Sequence, residues 1–309
     1  MSLISIVVPA FNEEQALGHL HAELSRVAAE MAAADFEFIL VDDGSVDGTL
    51  ATIKQLRATD HRVRFVSFSR NFGKEAALLA GLRCSKGDYV AVLDADLQDP
   101  PTMLPEMYRA LTEDGYDCAA ARRTSRGGES RIRSFFAERF YRLFNRMSET
   151  ELVSGARDFR LMSRQMTDAI LQLSEANRFS KGLFSWVGFN TKWIEYENIE
   201  RVDGTTKWSF FGLVKYSVEG FVNFSTAPLA LASALGFLFC LVAVGWIVVI
   251  IVRTMVFGNP TPGWSSLACI VLFSSGMQFL TIGILGQYLA RTYLETKHRP
   301  AYVVRETEE

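Results

Sequence analysis

Over roughly its first two hundred residues the chain switches regularly between two hydrophobic periods. Apolar runs of strand length occur at LISIVVPAF, FEFILVDDGS, VRFVSFS and YVAVLDAD. Between them lie stretches with apolar residues at helical spacing, such as EEQALGHLHAELSRVAAEMAA and GTLATIKQLRAT. Strands alternating with helices predict the α/β class, with a doubly wound, mostly parallel sheet. Ligands in such sheets bind outside the carboxyl ends of the strands.

The pattern then changes. No charged residue occurs between Phe221 and Val252, and after Arg253 none recurs until Arg291. Each window holds roughly 20 to 25 apolar residues, enough to cross a hydrocarbon core of about 30 Å. The expected spans are 228–252 and 265–289, two transmembrane helices apolar on every face. Lys207 and Lys215 lie before them, Arg291, Lys297, Arg299 and Arg305 after them, and the linker between is short and uncharged. The positive-inside rule then puts both termini, and the domain before the spans, on the cytoplasmic side of a multi-pass membrane protein. Arg253 is the exception, a single charge able to snorkel. The expected organisation is a cytoplasmic domain over 1–206, an amphipathic juxtamembrane segment over 207–227, the spans within 228–289 and a tail over 290–309. Gly236, Gly245, Gly276, Gly283 and Gly286 in the spans permit close helix packing, and with it a homo-oligomer.

Composition adds little to this picture, but the distribution of charge adds more. The 309 residues are 49% hydrophobic and 22% charged, within the globular range, and the net charge of −3 gives no reason to expect a nucleic-acid partner. Four cysteines without CxxC pairing read as ordinary thiols, and the N-terminus lacks the basic leader of a secretory signal. Between Arg122 and Arg146, however, eight arginines face two glutamates, and RIRSFFAERFYRLFNR interleaves them with aromatic residues. This composition suits a helix over about 131–146 lying in a bilayer interface, arginines at the head groups; packing of its Phe stripe against the sheet is the alternative.

Acids cluster where the strands end. Glu13 and Glu14 follow the first strand, Asp42 and Asp43 end another, and Asp94 and Asp96 end the run YVAVLDAD. Any one of these could be a cap or turn residue, but three sets at equivalent positions would share one crevice. Hard divalent cations take oxygen ligands, and Mg²⁺ commonly binds one or two carboxylates plus substrate phosphates. If Asp94 and Asp96 continue the strand, they point to the same side and can serve one ligand. No GxxxxGK[ST] or GxGxxG loop is present, which speaks against a P-loop kinase or a dehydrogenase.

VVPAFNEE, VDDGSVDGT, RNFGKEAALLAGL and DADLQDPP, in that order, resemble the inverting nucleotide-sugar glycosyltransferases with the A-type fold. GARDFRLMSR, RFSKGLFSWVGF, GTTKW and YLARTYLETKHRPAY narrow the resemblance to the polyprenyl-phosphate glycosyltransferases, close to the bactoprenol glucosyltransferases and more distantly to the dolichyl-phosphate mannose synthases. The QxxRW signature of processive synthases is absent.

That resemblance implies that Pro9, Glu13, Asp43 and Arg70 hold the uridine, that Asp94 serves the ribose or sugar, and that Asp96 is the main ligand of Mg²⁺ or Mn²⁺. Asp94 and Gln98 are its possible neighbours. It puts Asp158 at the position of the catalytic base. The acceptor is a phosphate monoester whose second pKa is about 6, so a base is scarcely needed; Asp158 can instead orient sugar hydroxyls, offset charge at the anomeric carbon, or fix a cation such as Arg157 or Arg160. Lys74 reads either as a solvated charge or as a sugar or phosphate contact. Arg122, Arg131, Arg133 and Lys207 are the candidate contacts to the lipid phosphate.

The implied reaction is transfer of glucose from UDP-glucose to undecaprenyl phosphate with inversion, for cell-envelope glycosylation. The same residues would suit N-acetylglucosamine, mannose or an amino-arabinose derivative. A subunit of a lipid-linked sugar flippase and a nucleotidyltransferase are the rival classes; the first would not need the acidic crevice, and the second would release pyrophosphate.

Overall fold

The computed structural model describes residues 1–123, 153, 155–175, 178–196, 227–257 and 263–308. The expected interfacial helix over 131–146 and most of the juxtamembrane segment, with Arg131, Arg133 and Lys207, lie outside the described residues.

The apolar runs become strands. β1 (Ser2–Ala10), β2 (Ala34–Asp42), β3 (Val63–Phe68) and β4 (Tyr89–Val92) alternate with helices α1 (Glu14–Glu30), α2 (Thr49–Thr59) and α3 (Lys74–Cys84). After α4 (Leu104–Thr112) follow β5 (Cys118–Arg123), β6 (Ala156–Ser163), α5 (Arg164–Gln172), α6 (Ser180–Trp186) and β7 (Thr191–Tyr196). Two long helices, α7 (Ala227–Phe257) and α8 (Trp264–Thr296), precede a last strand, β8 (Val304–Thr307). The eight strands form one sheet in the order β7-β5-β6-β4-β1-β2-β3-β8.

Alternation along each strand builds two cores. Ile4, Ile6 and Val8 of β1, with Phe36, Phe38 and Leu40 of β2, face the layer of α1, α2 and α4. Val7, Ile39 and Val41 face α3, α5 and α6. A strand apolar on both faces is what a sheet covered on both sides requires, and each fully buried Ile, Leu or Phe contributes roughly 1.5–3 kcal/mol. α1 buries Leu17, Leu20, Leu24 and Val27, a single helical stripe. α3 instead buries every residue from Ala76 to Leu82. It lies so close to β1 that a Cβ on Gly81 would fall 2.2 Å from Val7 Cγ1.

The sheet is mixed, with parallel pairings in the majority. β1 pairs in parallel with β2 and β4, β2 with β3, and β5 with β7, whereas β4–β6, β5–β6 and β3–β8 are antiparallel. The departures come from strands outside the four repeating units. β6 enters between β4 and β5 in the reverse direction, and β8 returns to the open edge of β3 from the far end of the chain. The segment 290–309, expected as a tail, is therefore divided between the end of α8 and a strand of the sheet.

α7 and α8 pack on each other, with Phe239 and Phe273 rings 5.1 Å apart. Many of their large side chains, among them Phe237, Trp246, Val249, Phe279 and Leu285, are more than half exposed. Taken over the described residues alone, no helix is long and apolar enough to cross a membrane. The two helices run 31 and 33 residues.

Candidate active site

Sheet order fixes where the site lies. The chain proceeds outward from β1 to β2 to β3, then returns to place β4 on the other side of β1. The loops after β1 and β4 therefore diverge, and a crevice opens at the carboxyl ends of the parallel strands. Residues 9–13, 42–49, 69–74 and 93–99 all surround those ends.

The first two loops are knitted together. Asn12 N donates to Ser45 Oγ (3.0 Å), Val46 N to Asn12 Oδ1 (3.0 Å) and Glu13 N to Thr49 Oγ1 (2.9 Å). Asp42, buried, accepts from Ser45 N at 3.0 Å and Ser67 Oγ at 2.7 Å, so it is a turn and strand-end residue. Asp43 is also buried, and it accepts from the backbone N–H groups of Phe72 (2.6 Å) and Gly73 (2.9 Å), tying the loop after β3 to the end of β2. Burial pushes its carboxyl up, while those two donors pull it down. Gly44 makes this contact possible: its φ is +66°, and a Cβ there would lie 2.3 Å from the Arg70 carbonyl carbon. Arg70 is exposed, donates to Asn71 O at 2.8 Å and lies 3.9 Å over the Phe72 ring. Pro9 and Glu13, half-buried, complete the set proposed for the uridine.

β4 stops at Val92, so Asp94 and Asp96 lie in the turn beyond it and not on the strand. The expectation that strand alternation turns both to one side is thereby corrected. Asp96 Oδ1 accepts from Gln98 N at 3.2 Å, and Leu97 between them has a φ of +55°, a strained value for a branched side chain. The Gln98 amide oxygen accepts from Arg157 Nη2 at 3.1 Å.

Asp158 meets Asp94 through strand register. β4 and β6 run antiparallel with Val92 opposite Arg160, and continuing that register brings position 158 opposite position 94. Between them sits Lys74, whose ammonium is 2.6 Å from Asp94 Oδ1 and 2.5 Å from Asp158 Oδ2. Lys74 opens α3, where the helix dipole disfavours a cation, so the two carboxylates and not the helix hold it there. Burial would raise Asp158, but the ammonium groups of Lys181 and Lys74 outweigh it and hold this carboxyl below the usual range. The Lys74 ammonium is shifted upward, burial opposing and Asp158 and Asp94 prevailing. Asp94, with burial as the main cause, is shifted up: two acids share one cation.

Neither neighbouring arginine pairs with the Asp158 carboxylate. Arg157 Nε donates to Asp99 Oδ1 at 2.9 Å, and the Tyr196 hydroxyl reaches the same oxygen. Arg160, buried, donates to the carbonyls of Asp158 (3.2 Å) and Arg157 (2.9 Å) and lies 3.7 Å over Phe184. The cation fixed by Asp158 is thus Lys74. Beside it, Glu75 accepts from Ser180 N at 2.9 Å and from its hydroxyl, joining α3 to α6. Arg122 lies at the end of β5, 3.5 Å from Glu195. Sequence reasoning missed Glu75, Ser180, Lys181 and Tyr196; Ser180 and Lys181 stand in the RFSKGLF segment already singled out, where a lone Lys in an apolar run was the available signal.

Among the described residues no group of three or more His, Cys, Asp or Glu side chains is assembled to hold a metal ion. The donors that do line the turn, Asp94 and Asp96, are carboxylates, and one or two of these with substrate phosphates are what Mg²⁺ or Mn²⁺ needs. The residues fit such an ion.

The model of glycosyl transferase family 2 matches residues 5–171, which contain every acid of the crevice. CsbB of Bacillus subtilis, provisionally named a glycosyltransferase, is 44% identical over 304 residues, 98% of this chain and 92% of that one. The bactoprenol glucosyl transferase of Shigella phage SfV is 40% identical, and the prophage bactoprenol glucosyl transferase homolog of Escherichia coli 39%, each over 302 residues and 98% of both chains. With a crevice at the strand ends, the acids that line it and a match over more than half its length, the chain belongs to glycosyl transferase family 2.

Proposed function

We propose that this protein transfers glucose from UDP-glucose to a polyprenyl phosphate at the surface of a bacterial inner membrane, with inversion at the anomeric carbon. The observation that carries the reading is the meeting of Asp94 and Asp158 at Lys74, in the crevice of a family 2 chain whose similarity to bactoprenol glucosyl transferases spans 98% of its length.

In this reading Pro9, Glu13, Asp43 and Arg70 form the uridine side of the crevice, Asp94 faces the sugar, and Asp96, with Asp94 next to it, would hold Mg²⁺ or Mn²⁺. When bound, the ion neutralises charge on the departing diphosphate. Gln98 is the weaker candidate ligand, because its amide oxygen accepts from Arg157. A phosphate oxygen of the lipid attacks the anomeric carbon, a new C–O bond forms, and the electrons of the old one leave with UDP. The attacking oxygen is already ionised at neutral pH, so no proton must be removed. Asp158, kept anionic by Lys181 and Lys74, then serves to stabilise positive charge growing on the sugar. Arg122 and the basic segment that follows it are the proposed contacts to the lipid phosphate, together with Arg131, Arg133 and Lys207.

We read α7 and α8 as the membrane anchor, both termini and the transferase domain on the cytoplasmic side. Support comes from their lengths of 31 and 33 residues, the exposure of their apolar side chains and the charge-free stretch from Phe221 to Val252. The direct test is to incubate the purified protein with undecaprenyl phosphate and a panel of nucleotide sugars. A glucosyl phospholipid and free UDP are expected from UDP-glucose; release of pyrophosphate, or no lipid product from any donor, would overturn the proposal.

A further inference from the structure

The strand β8 begins only a few residues after α8, and its contacts lead into the loop that carries Arg70. Val303 O accepts from Ser69 N at 3.0 Å, the first residue beyond β3. The Tyr302 ring lies flat on Phe68, with centroids 4.8 Å apart and planes 13° from parallel. Phe68 is buried and meets Phe72 edge to face at 5.8 Å. Phe72 in turn lies under the Arg70 guanidinium at 3.9 Å and gives its backbone N–H to Asp43. One run of ring contacts thus joins the end of the long helix α8 to two residues of the proposed uridine site. Outside this run, Lys54 with Glu306 (2.6 Å) and Arg57 with Glu308 hold the strand against α2. The edge of β3 could have been covered by any short strand; the Tyr302 stack reaches past the edge to the loop.

We propose that Tyr302 is a positioning residue for the donor site: through Phe68 and Phe72 it holds the 69–73 loop in the conformation that presents Arg70 and closes on Asp43. The C-terminal strand thereby fastens the donor side of the crevice to the end of α8. This inference rests on the donor-site reading proposed above.

The experiment uses the full chain in detergent. UDP binding in Mn²⁺ is measured by calorimetry, and initial rates are measured with UDP-glucose and undecaprenyl phosphate, for Tyr302→Ala, Tyr302→Leu and Tyr302→Phe. Loss of one ring pair is expected to weaken UDP binding and raise the donor KM by about three- to tenfold in the Ala and Leu variants. kcat and the lipid KM should stay within about twofold, and Tyr302→Phe, which keeps the stack, should match the wild type. Tyr302→Leu retains apolar cover over Phe68, so it decides the matter if Tyr302→Ala does not fold. A Leu variant that binds UDP as the wild type does overturns the inference alone, as does one that loses kcat with donor KM unchanged. A wild-type protein that takes up no UDP overturns the donor-site reading and this inference with it.

Discussion

Lys74 is the residue on which the site's electrostatics turn. Two carboxylates, one in the turn after β4 and one on β6, would repel each other in the crevice, and one ammonium between them offsets that repulsion while holding Asp158 ionised. Replacing Lys74 by Met should lower kcat by about tenfold or more, with Lys74→Arg recovering part of the loss, because the guanidinium restores charge but not geometry. Steady-state rates of the three proteins decide this; equal rates in Lys74→Met would reduce the contact to a surface ion pair. Asp96→Ala is expected to cut turnover by roughly 100-fold or more, and excess EDTA to do the same to the wild type. Asp158→Asn differs in kind: turnover should fall while UDP affinity by calorimetry stays within about twofold, since the proposed uridine contacts Asp43 and Arg70 lie in the loops after β2 and β3, away from β6. Full activity in Asp158→Asn would leave that carboxylate with the structural task of holding Lys74.

At the level of elements, the loops are stabilised by polar contacts that the cores do not supply. The turn between α2 and β3 shows this away from the site. Asp60 accepts from Arg62 at 2.8 Å and lies 2.9 Å from His21 Nε2, which holds α1 to that turn. The Arg62 contact is the main cause that keeps the Asp60 carboxyl well below the ordinary range. A depressed carboxyl contributes stability that is present above the unfolded value of about 3.9 and disappears as pH falls toward the folded one. Asp60→Asn should therefore lower stability by about 1–2 kcal/mol at pH 7. The difference from wild type should narrow steadily below about pH 4, as thermal melts at a series of pH values would show. A gap that persists undiminished in acid would assign the cost to packing. The elements were largely legible beforehand, since period-2 and period-3.6 patterns name strands and helices directly. Their partners were not: nothing in ARDFRLMS marks β6 as antiparallel between β4 and β5, and VRET carries no signal that it will complete the sheet beside β3.

For the whole molecule, the charge-free stretches and the crevice belong to one design if the acceptor is drawn from a bilayer. The prediction is physical: the expressed chain should sediment with membranes, stay there through alkaline carbonate and high salt, and be released by detergent. Recovery in the carbonate supernatant would overturn the two-span reading and leave α7 and α8 as a surface hairpin. The contact between β8 and β3 also means that the last residues are not an appendage, because a chain cut before Tyr302 loses an edge strand and the stack on Phe68 together.

The amino-acid sequence by itself determined the alternating α/β plan, the placing of acids after successive strands and the two long apolar helices, because periodicity, turn chemistry and apolar run length are local properties. The approach of Asp94 to Asp158 across Lys74, the diversion of Arg157 to Asp99, the departure of Asp94 and Asp96 from the strand and the return of Tyr302 to Phe68 were decided only by the tertiary structure. These depend on strand order and register, which bring together residues as far apart as positions 68 and 302, and no local pattern encodes the partner of a strand that arrives from the other end of the chain.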